Sequence, residues 1–485
     1  MKEKNKLYYI YGISTIFVLI VAYCIAKNIP FVPLAIPLII IGFALYFFAY
    51  DKVLLLIALL TPISIELGSK EFGFTISFPS EVLLIQMVIM VFLKFLSDRK
   101  IDKQFLKHPI TILIILNLIW MFITTLTSEM FLVSFKYFLA RLWFVIPCYF
   151  VGVEIFKDQK NIEKYNWAYI FSLCIVIVYT LIRHSARGFS QSSSVLIMRP
   201  LFPEHTSYGA MLVFVVPFLV FSLFRTGKKP IYKIITACVL VLVLAGLIFS
   251  FTRAAWLGGI IALIIIILYL FKVKLRYILS VGILFFVLFF AFQEQIIVAL
   301  KKNSQDSSQN FIEHVQSMSN ISTDASNLER INRWQSAIRM FKERPLVGWG
   351  PGTYQFVYSP FQRSQEKTII STNAGDGGNA HSEYLGTLSE QGIIGLIIIV
   401  ILYITMIYTA NKVFWKSKNK FDRYMSLTCM LALVTYFVHG FLNNFLDIDK
   451  AAVLFWLYVA IIVSLDLKYR NEHKKLSENS KSDSE

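Results

Sequence analysis

Charge is scarce in this chain: Asp, Glu, Lys and Arg make up 16% of its 485 residues, while 56% are hydrophobic. A water-soluble protein of that length needs far more polar surface, because much of its exterior must face water. Acidic residues are the scarcer sign, 30 against 47 basic ones, which leaves a formal charge of +17. Paired cysteines are missing. Cys24, Cys148, Cys174, Cys238 and Cys429 stand singly in apolar segments with no CxxC spacing, so neither a disulfide framework nor a zinc site is indicated. They read as small core residues. No small-residue cleavage site follows the opening MKEKNK, so the apolar stretch behind it reads as an uncleaved first span. No internal repeat is visible.

Long apolar runs are what the chain does have, such as 240–248 and 263–270. Runs near twenty residues, bounded by charges and prolines, read as membrane-spanning helices. We count about fourteen (12–14), near 8–26, 31–50, 53–66, 79–96, 109–126, 131–155, 165–182, 207–224, 231–250, 254–271, 276–292, 392–411, 424–442 and 451–467. Excess Lys and Arg in such a protein belongs in cytoplasmic loops, so the positive charge does not call for nucleic acid. Arg99, Lys100, Lys103 and Lys107 cluster after the fourth span, and Lys416, Lys418, Lys420 and Arg423 after the twelfth. That asymmetry puts both termini in the cytoplasm and the opposite loops outside.

The organisation that follows is a membrane domain over 1–292, a large outer loop over 293–391, three further spans over 392–467 and a disordered cytoplasmic tail over 468–485. Ser, Asn and Gln dominate the first part of the loop, as in flexible segments. Its second part is patterned for order. Ile331, Trp334, Ile338 and Phe341 recur at helical spacing up to Pro345, which stops a helix. GWGPG then makes a tight turn, and AGDGGNA leads to His381.

Candidate chemistry collects on the outer side. Arg253, in FSFTRAAW, sits at the membrane boundary, where its guanidinium either holds an anion bidentately or anchors the helix. Lys136 and Arg141 lie within the sixth span. Charges at that depth face a cavity or a partner; the choice is a basic pocket, or an ion pair with Glu154 or Glu66. Arg330, Arg333 and Arg339 share the loop helix, and Arg339 is the one most suited to a solvated face. His381 can take a proton near neutral pH, although a lone loop histidine is more often structural. Asp376 and Glu383 are alternative bases, and Asp376 a weak metal candidate. Tyr354, Phe356, Tyr358 and Phe361 either stack on sugars or simply pack the loop.

The strings ERINRWQSAIRMFKERPLVGWGPGTYQF and NAHSEYLGTLSEQGIIGL resemble the signature of the O-antigen ligase and polymerase family, and FSFTRAAWLGG resembles its upstream element. The likeness runs over 250–396; Ser382 replaces the commoner Asn after the histidine. It implies an all-α, GT-C type membrane glycosyltransferase with one large extracytoplasmic loop containing short helices. The donor it implies is a polyprenyl-pyrophosphate-linked glycan. Transfer would invert the anomeric carbon, without metal or cofactor, at the periplasmic face of a bacterial inner membrane. By position, Arg253 and Arg330 would hold the pyrophosphate, joined in our reading by Arg333, Arg141 and Lys136. His381 would orient or deprotonate the acceptor hydroxyl. The acceptor, whether another glycan, lipid A-core or a protein, is not separated by these motifs; a role in O-antigen or other polysaccharide biosynthesis fits each. The alternative class is a lipid-linked oligosaccharide flippase, which suits the span count but not the large loop or the lack of paired halves. A structural scaffold would leave Lys136 and Arg141 unexplained.

Overall fold

The computed structural model describes residues 50–69, 74–98, 102–274, 325–364, 371 and 378–482, with isolated positions in 15–24 and 276–284. A helix α1 over residues 50–60 leads through a 3-10 turn, Thr61–Ile63, into an antiparallel hairpin, β1 (Ile65–Ser69) and β2 (Phe74–Phe78), that pairs Ile65 with Phe78. Then come α2 (Ser80–Asp98), α3 (Pro109–Leu126), α4 (Phe131–Val145, carried on to Ile155 through a π turn) and α5 (Gln159–Ser185). They are followed by α6 (His205–Phe224), α7 (Pro230–Phe249) and α8 (Arg253–Leu270). Helix α9 (Ala325–Glu343) precedes the last three, α10 (Glu383–Lys416), α11 (Lys420–His439) and α12 (Asp449–Ser482).

The helices start where the sequence offers a cap. Asp158 accepts from Lys160 N at 3.0 Å, Asn419 from Phe421 N at 2.8 Å and Ser382 from Leu385 N at 3.4 Å, and Pro109 and Pro230 sit at first-turn positions. Each satisfies or removes a backbone N–H that the helix itself cannot pair. Among the described residues, eight helices are long and apolar enough to cross a membrane, which makes the chain a multi-pass membrane protein. Their burial separates centre from rim. The apolar window of α12 is 100% buried, as expected for a helix hydrophobic all round at the middle of a bundle, whereas that of α7 is 17% buried and faces outward. Around α12 pack α4, α10 and α11, and α6 contacts α7, α8 and α11. Buried hydrogen bonds cross between helices: Tyr458 OH donates to Asn166 Oδ1 at 2.6 Å and Tyr169 OH to Lys450 O at 2.9 Å, tying α5 to α12.

Several expectations change. The spans foreseen at 8–26, 31–50 and 276–292 fall largely outside the described residues, so the count of fourteen is not reached. The one foreseen at 53–66 ends its helix at residue 60, because Ile65–Ser69 pairs as a strand. An all-α architecture therefore carries one small sheet. The alternation of Phe74, Ile76 and Phe78 with Thr75 and Ser77 is the period-two signal of a strand. The tail foreseen as disordered from 468 is helical to Ser482. Its Lys- and Glu-rich sequence favours helix, and Lys468 and Glu472 pair one turn apart at 4.0 Å. Within the loop foreseen over 293–391, residues 293–324 lie outside the described residues, while the helix expected before Pro345 is α9.

Candidate active site at one end of the bundle

Gly348, Gly350 and Gly392 of the signature strings serve a backbone interlock. Helix α10 breaks at Gly392, whose φ of 68° is left-handed. A side chain there would collide with Leu346 O, so the turn after Pro345 can lie against the break only because residue 392 is glycine. The break frees carbonyls that the turn then uses: Trp349 N donates to Ser389 O at 3.1 Å and Gly350 N to Glu390 O at 2.8 Å. In return Ile393 N donates to Pro345 O at 2.9 Å. The Glu390 side chain accepts from Tyr354 N at 3.0 Å, and Trp120 Nε1 donates to Gln391 O at 2.9 Å. Thus the loop is stitched to α10 about two turns beyond its first residue, and α3 is tied to the same break through Trp120.

His381 itself is strained, with φ at 48°. For a non-glycine residue that costs about 1–2 kcal/mol, and such strain gathers at functional positions. It is held by Asn379 Oδ1, which accepts from His381 N at 3.0 Å, and by Trp334 Nε1, which donates to His381 O at 3.4 Å. Burial, then the Arg333 and Arg330 guanidiniums, push the imidazole down to about 3, so it is neutral at physiological pH. Arg330 lies within electrostatic reach of two more rings, His439 at the end of α11 and His205 at the start of α6. Asn443 Nδ2 lies 3.4 Å from His439 Nδ1. The start of α6, the segment before α10 and the end of α11 thus lie within electrostatic reach of Arg330 on α9.

Arg253 joins this end through its neighbour. Thr252 Oγ1 donates to His205 O at 2.9 Å, and Thr252 and Ser250 pack so closely on Gly209 that a side chain there would overlap them. Phe251, with φ at 50°, turns the chain sharply enough to start α8 at Arg253. Arg330 therefore lies within electrostatic reach of His381, and Arg253 is one residue from a contact to His205.

The other expected residues divide. Arg333 is buried. Its Nε donates to Glu329 Oε1 at 2.9 Å, its Nη1 to Asn379 O at 3.0 Å, and its guanidinium fills the space a side chain at residue 378 would need. It clamps the His381 loop to α9. Arg339 Nε likewise donates to Phe361 O at 2.7 Å. Arg141 pairs with neither Glu154 nor Glu66. Its Nη2 lies 3.4 Å from Asp447 Oδ1 and donates to Tyr137 OH at 3.1 Å. With Asn117, Glu383, Thr387 and Tyr403 it lines a separate recess whose inner space, about 20 Å³, is the size of one water site. Lys136 is exposed on the opposite face of α4 from buried Arg141, so no shared basic patch forms. Glu383 Oε1 accepts from Phe445 N at 2.9 Å and Leu446 N at 3.1 Å, and so anchors the turn between α11 and α12. Asp376 lies outside the described residues. Tyr354 and Tyr358 stack on each other at 5.1 Å and are buried, which is the packing alternative for that aromatic group; Phe356 is exposed.

Sequence reasoning gave no role to His205, His439, Asn443 and Asp447. The available signal was positional: each lies at an end of an expected span on the face that also carries Arg253 and His381.

Comparison with known proteins bears on the same segment. The family model described as O-antigen ligase matches residues 238–400, which contain Arg253, Arg330 and His381. A Haemophilus influenzae protein described as uncharacterized is 24% identical over 112 residues, 23% of this chain. The aligned stretch spans about a quarter (26%) of that relative's length. The signature region read from the sequence, 250–396, falls inside the residues that match the O-antigen ligase family, 238–400, and that match supports the resemblance.

Proposed function

We propose that the chain transfers a glycan from a polyprenyl-pyrophosphate carrier to an acceptor hydroxyl, at the outer face of a bacterial inner membrane. What supports this reading is that a strained, buried His381 lies within electrostatic reach of Arg330 inside the segment that matches the family. The glycosidic C1–O bond to the diphosphate breaks while the acceptor oxygen attacks from the opposite side, which inverts the anomeric carbon. Negative charge grows on the departing diphosphate, and Arg330 and Arg253 supply fixed countercharge in a site sheltered from water. His381 accepts the hydroxyl proton. Its low affinity for protons in the empty site follows from burial first and the two guanidiniums second. A bound diphosphate offsets the second of these, so donor binding raises the basicity of the ring towards the range where a base is effective. Arg333 and Glu383 act by positioning, through the loop and turn they hold. Lys136 and Arg141 have no part in holding the diphosphate.

Surface glycan in a deletion strain carrying variant genes tests this reading. His381→Ala should abolish the glycan while the protein stays in the membrane. Normal glycan in that strain would remove His381 from the chemistry. The deletion strain also separates acceptors: single repeats in place of long chains mean a polymerase, and accumulated lipid-linked long chains mean a ligase.

A further inference from the structure

We infer that the recess lined by Arg141 is an acceptor subsite: it takes a neutral, hydroxyl-bearing group of the acceptor sugar, and Gln391, Tyr403 and Trp456 bind that group. Helix α10 builds the recess by folding back on itself. Along a straight helix Tyr384 and Tyr403 would stand roughly 28 Å apart, yet their ring centroids are 6.1 Å apart. The piece before Gly392 therefore turns back along the piece that follows it. Glu383, Thr387 and Gln391 are spaced four apart and share one face of that short arm. All three line the recess, together with Tyr403 of the longer arm and Trp456 of α12. Inside a membrane bundle such a polar face is costly unless it borders a polar space.

Three side chains at the recess each have a polar atom to spare. Gln391 Oε1, Tyr403 OH and Trp456 Nε1 are buried without a hydrogen-bond partner among the described residues, and none of the three residues is more than 5% exposed. Leaving one such group unpaired costs about 1–3 kcal/mol, so three at one recess point to a ligand. Their chemistry selects it. An indole nitrogen only donates, an amide oxygen only accepts, and a phenol does both. A hydroxyl accepts from the first, donates to the second and pairs with the third. A cation would meet the Trp456 N–H and Arg141, and an anion would meet Gln391 Oε1 and Glu383. The charge of Arg141 is already matched, since its Nη2 lies 3.4 Å from Asp447 Oδ1. The inner space of about 20 Å³ admits one hydroxyl and leaves the sugar ring outside, at the half-buried ring of Tyr137. Glu383 is two residues from His381, at most about 7 Å of chain, which keeps a sugar held here beside the proposed base.

The subsite rests on the glycosyltransferase reading for the identity of its ligand, and two measurements on the purified full-length protein keep the two apart. Tyr403→Phe deletes only a phenol oxygen that has no partner to lose, so a purely structural Tyr403 predicts no effect at all. The first measurement is transfer in proteoliposomes, with acceptor varied at saturating donor. Tyr403→Phe and Gln391→Leu should each raise the acceptor KM at least threefold, with kcat and the donor KM within twofold of wild type. The second is the thermal midpoint in detergent with oligosaccharides released by mild acid from the deletion strain's glycolipids, which carry neither lipid nor diphosphate. They should raise the midpoint of the wild type and leave that of Tyr403→Phe unmoved. A smaller rise in acceptor KM for Tyr403→Phe overturns the subsite, as does a midpoint shift equal in both proteins or absent from both. A recess that holds water alone gives that result. Should Gln391→Leu fail to accumulate, Tyr403→Phe decides. If the wild type transfers nothing but its midpoint shift is lost in Tyr403→Phe, the glycosyltransferase reading falls and the sugar site stands.

Discussion

At the scale of single residues, the site depends on an imidazole kept neutral and guanidiniums kept charged. The sign of the pH effect follows directly. His381 binds its proton at about 3 in the folded protein, against an ordinary value of 6.5. Between those two values the unfolded chain holds a proton that the folded one does not, so stability is complete above pH 6.5 and falls as pH drops towards 3. Thermal unfolding in detergent should therefore show a larger loss between pH 7 and pH 5 for wild type than for His381→Asn. Equal losses would mean that the ring is not buried beside cations. At Arg330 the planar fork matters as well as the charge, because it can grip a diphosphate through two parallel bonds. Arg330→Lys should keep the protein folded and cut transfer at least tenfold, about 1.4 kcal/mol, as read from initial rates. The candidate residues Arg253, Arg330 and His381 were visible in the sequence because their neighbours form recognisable strings. Arg333 was legible as a residue but not as a clamp. Only folding reveals that its guanidinium meets Glu329 and Asn379 O.

Helices and turns were read more securely than the contacts between them. Apolar periodicity and Pro345 marked α9, and runs of apolar residues marked α3 to α8, because the bilayer imposes a length that sequence displays. The β1–β2 hairpin was missed because an apolar run beside it masked a short alternating pattern. Arg141's partner was missed because Asp447 lies some three hundred residues away in sequence, beyond any local signal. The glycines of the GWGPG turn and of α10 suggested a tight turn, while the interlock they permit needed coordinates. That interlock makes a specific demand at Gly392. Alanine there must adopt a left-handed backbone, at about 1–2 kcal/mol, and also displace Leu346 O. Gly392→Ala should lower the thermal midpoint by several degrees and reduce transfer, since it loosens the support behind His381. An unchanged midpoint would show that the break in α10 carries no strain.

For the whole molecule, the proposed site lies at one end of the bundle and the lysine-rich connection between α10 and α11 at the other. Helices α6, α8, α10 and α12 begin, and α11 ends, at the end where Arg253, Arg330 and His381 lie. The loop between α10 and α11, with Lys416, Lys418 and Lys420, is at the other. If positive loops stay in the cytoplasm, a cysteine at position 187, in the exposed turn after α5, should react with a membrane-impermeant maleimide in intact cells whose outer barrier is opened. A cysteine at position 418 should react only after the inner membrane is broken; the reverse pattern would turn the site towards the cytosol. The most direct test of the catalytic proposal is transfer by purified protein in proteoliposomes, supplied on one side with polyprenyl-pyrophosphate-linked glycan and acceptor from the host strain. Wild-type protein should form a new glycosidic bond, with none formed by His381→Ala or Arg330→Ala of equal insertion. Transfer by His381→Ala at the wild-type rate, or none by the wild type, would contradict the assignment of this site.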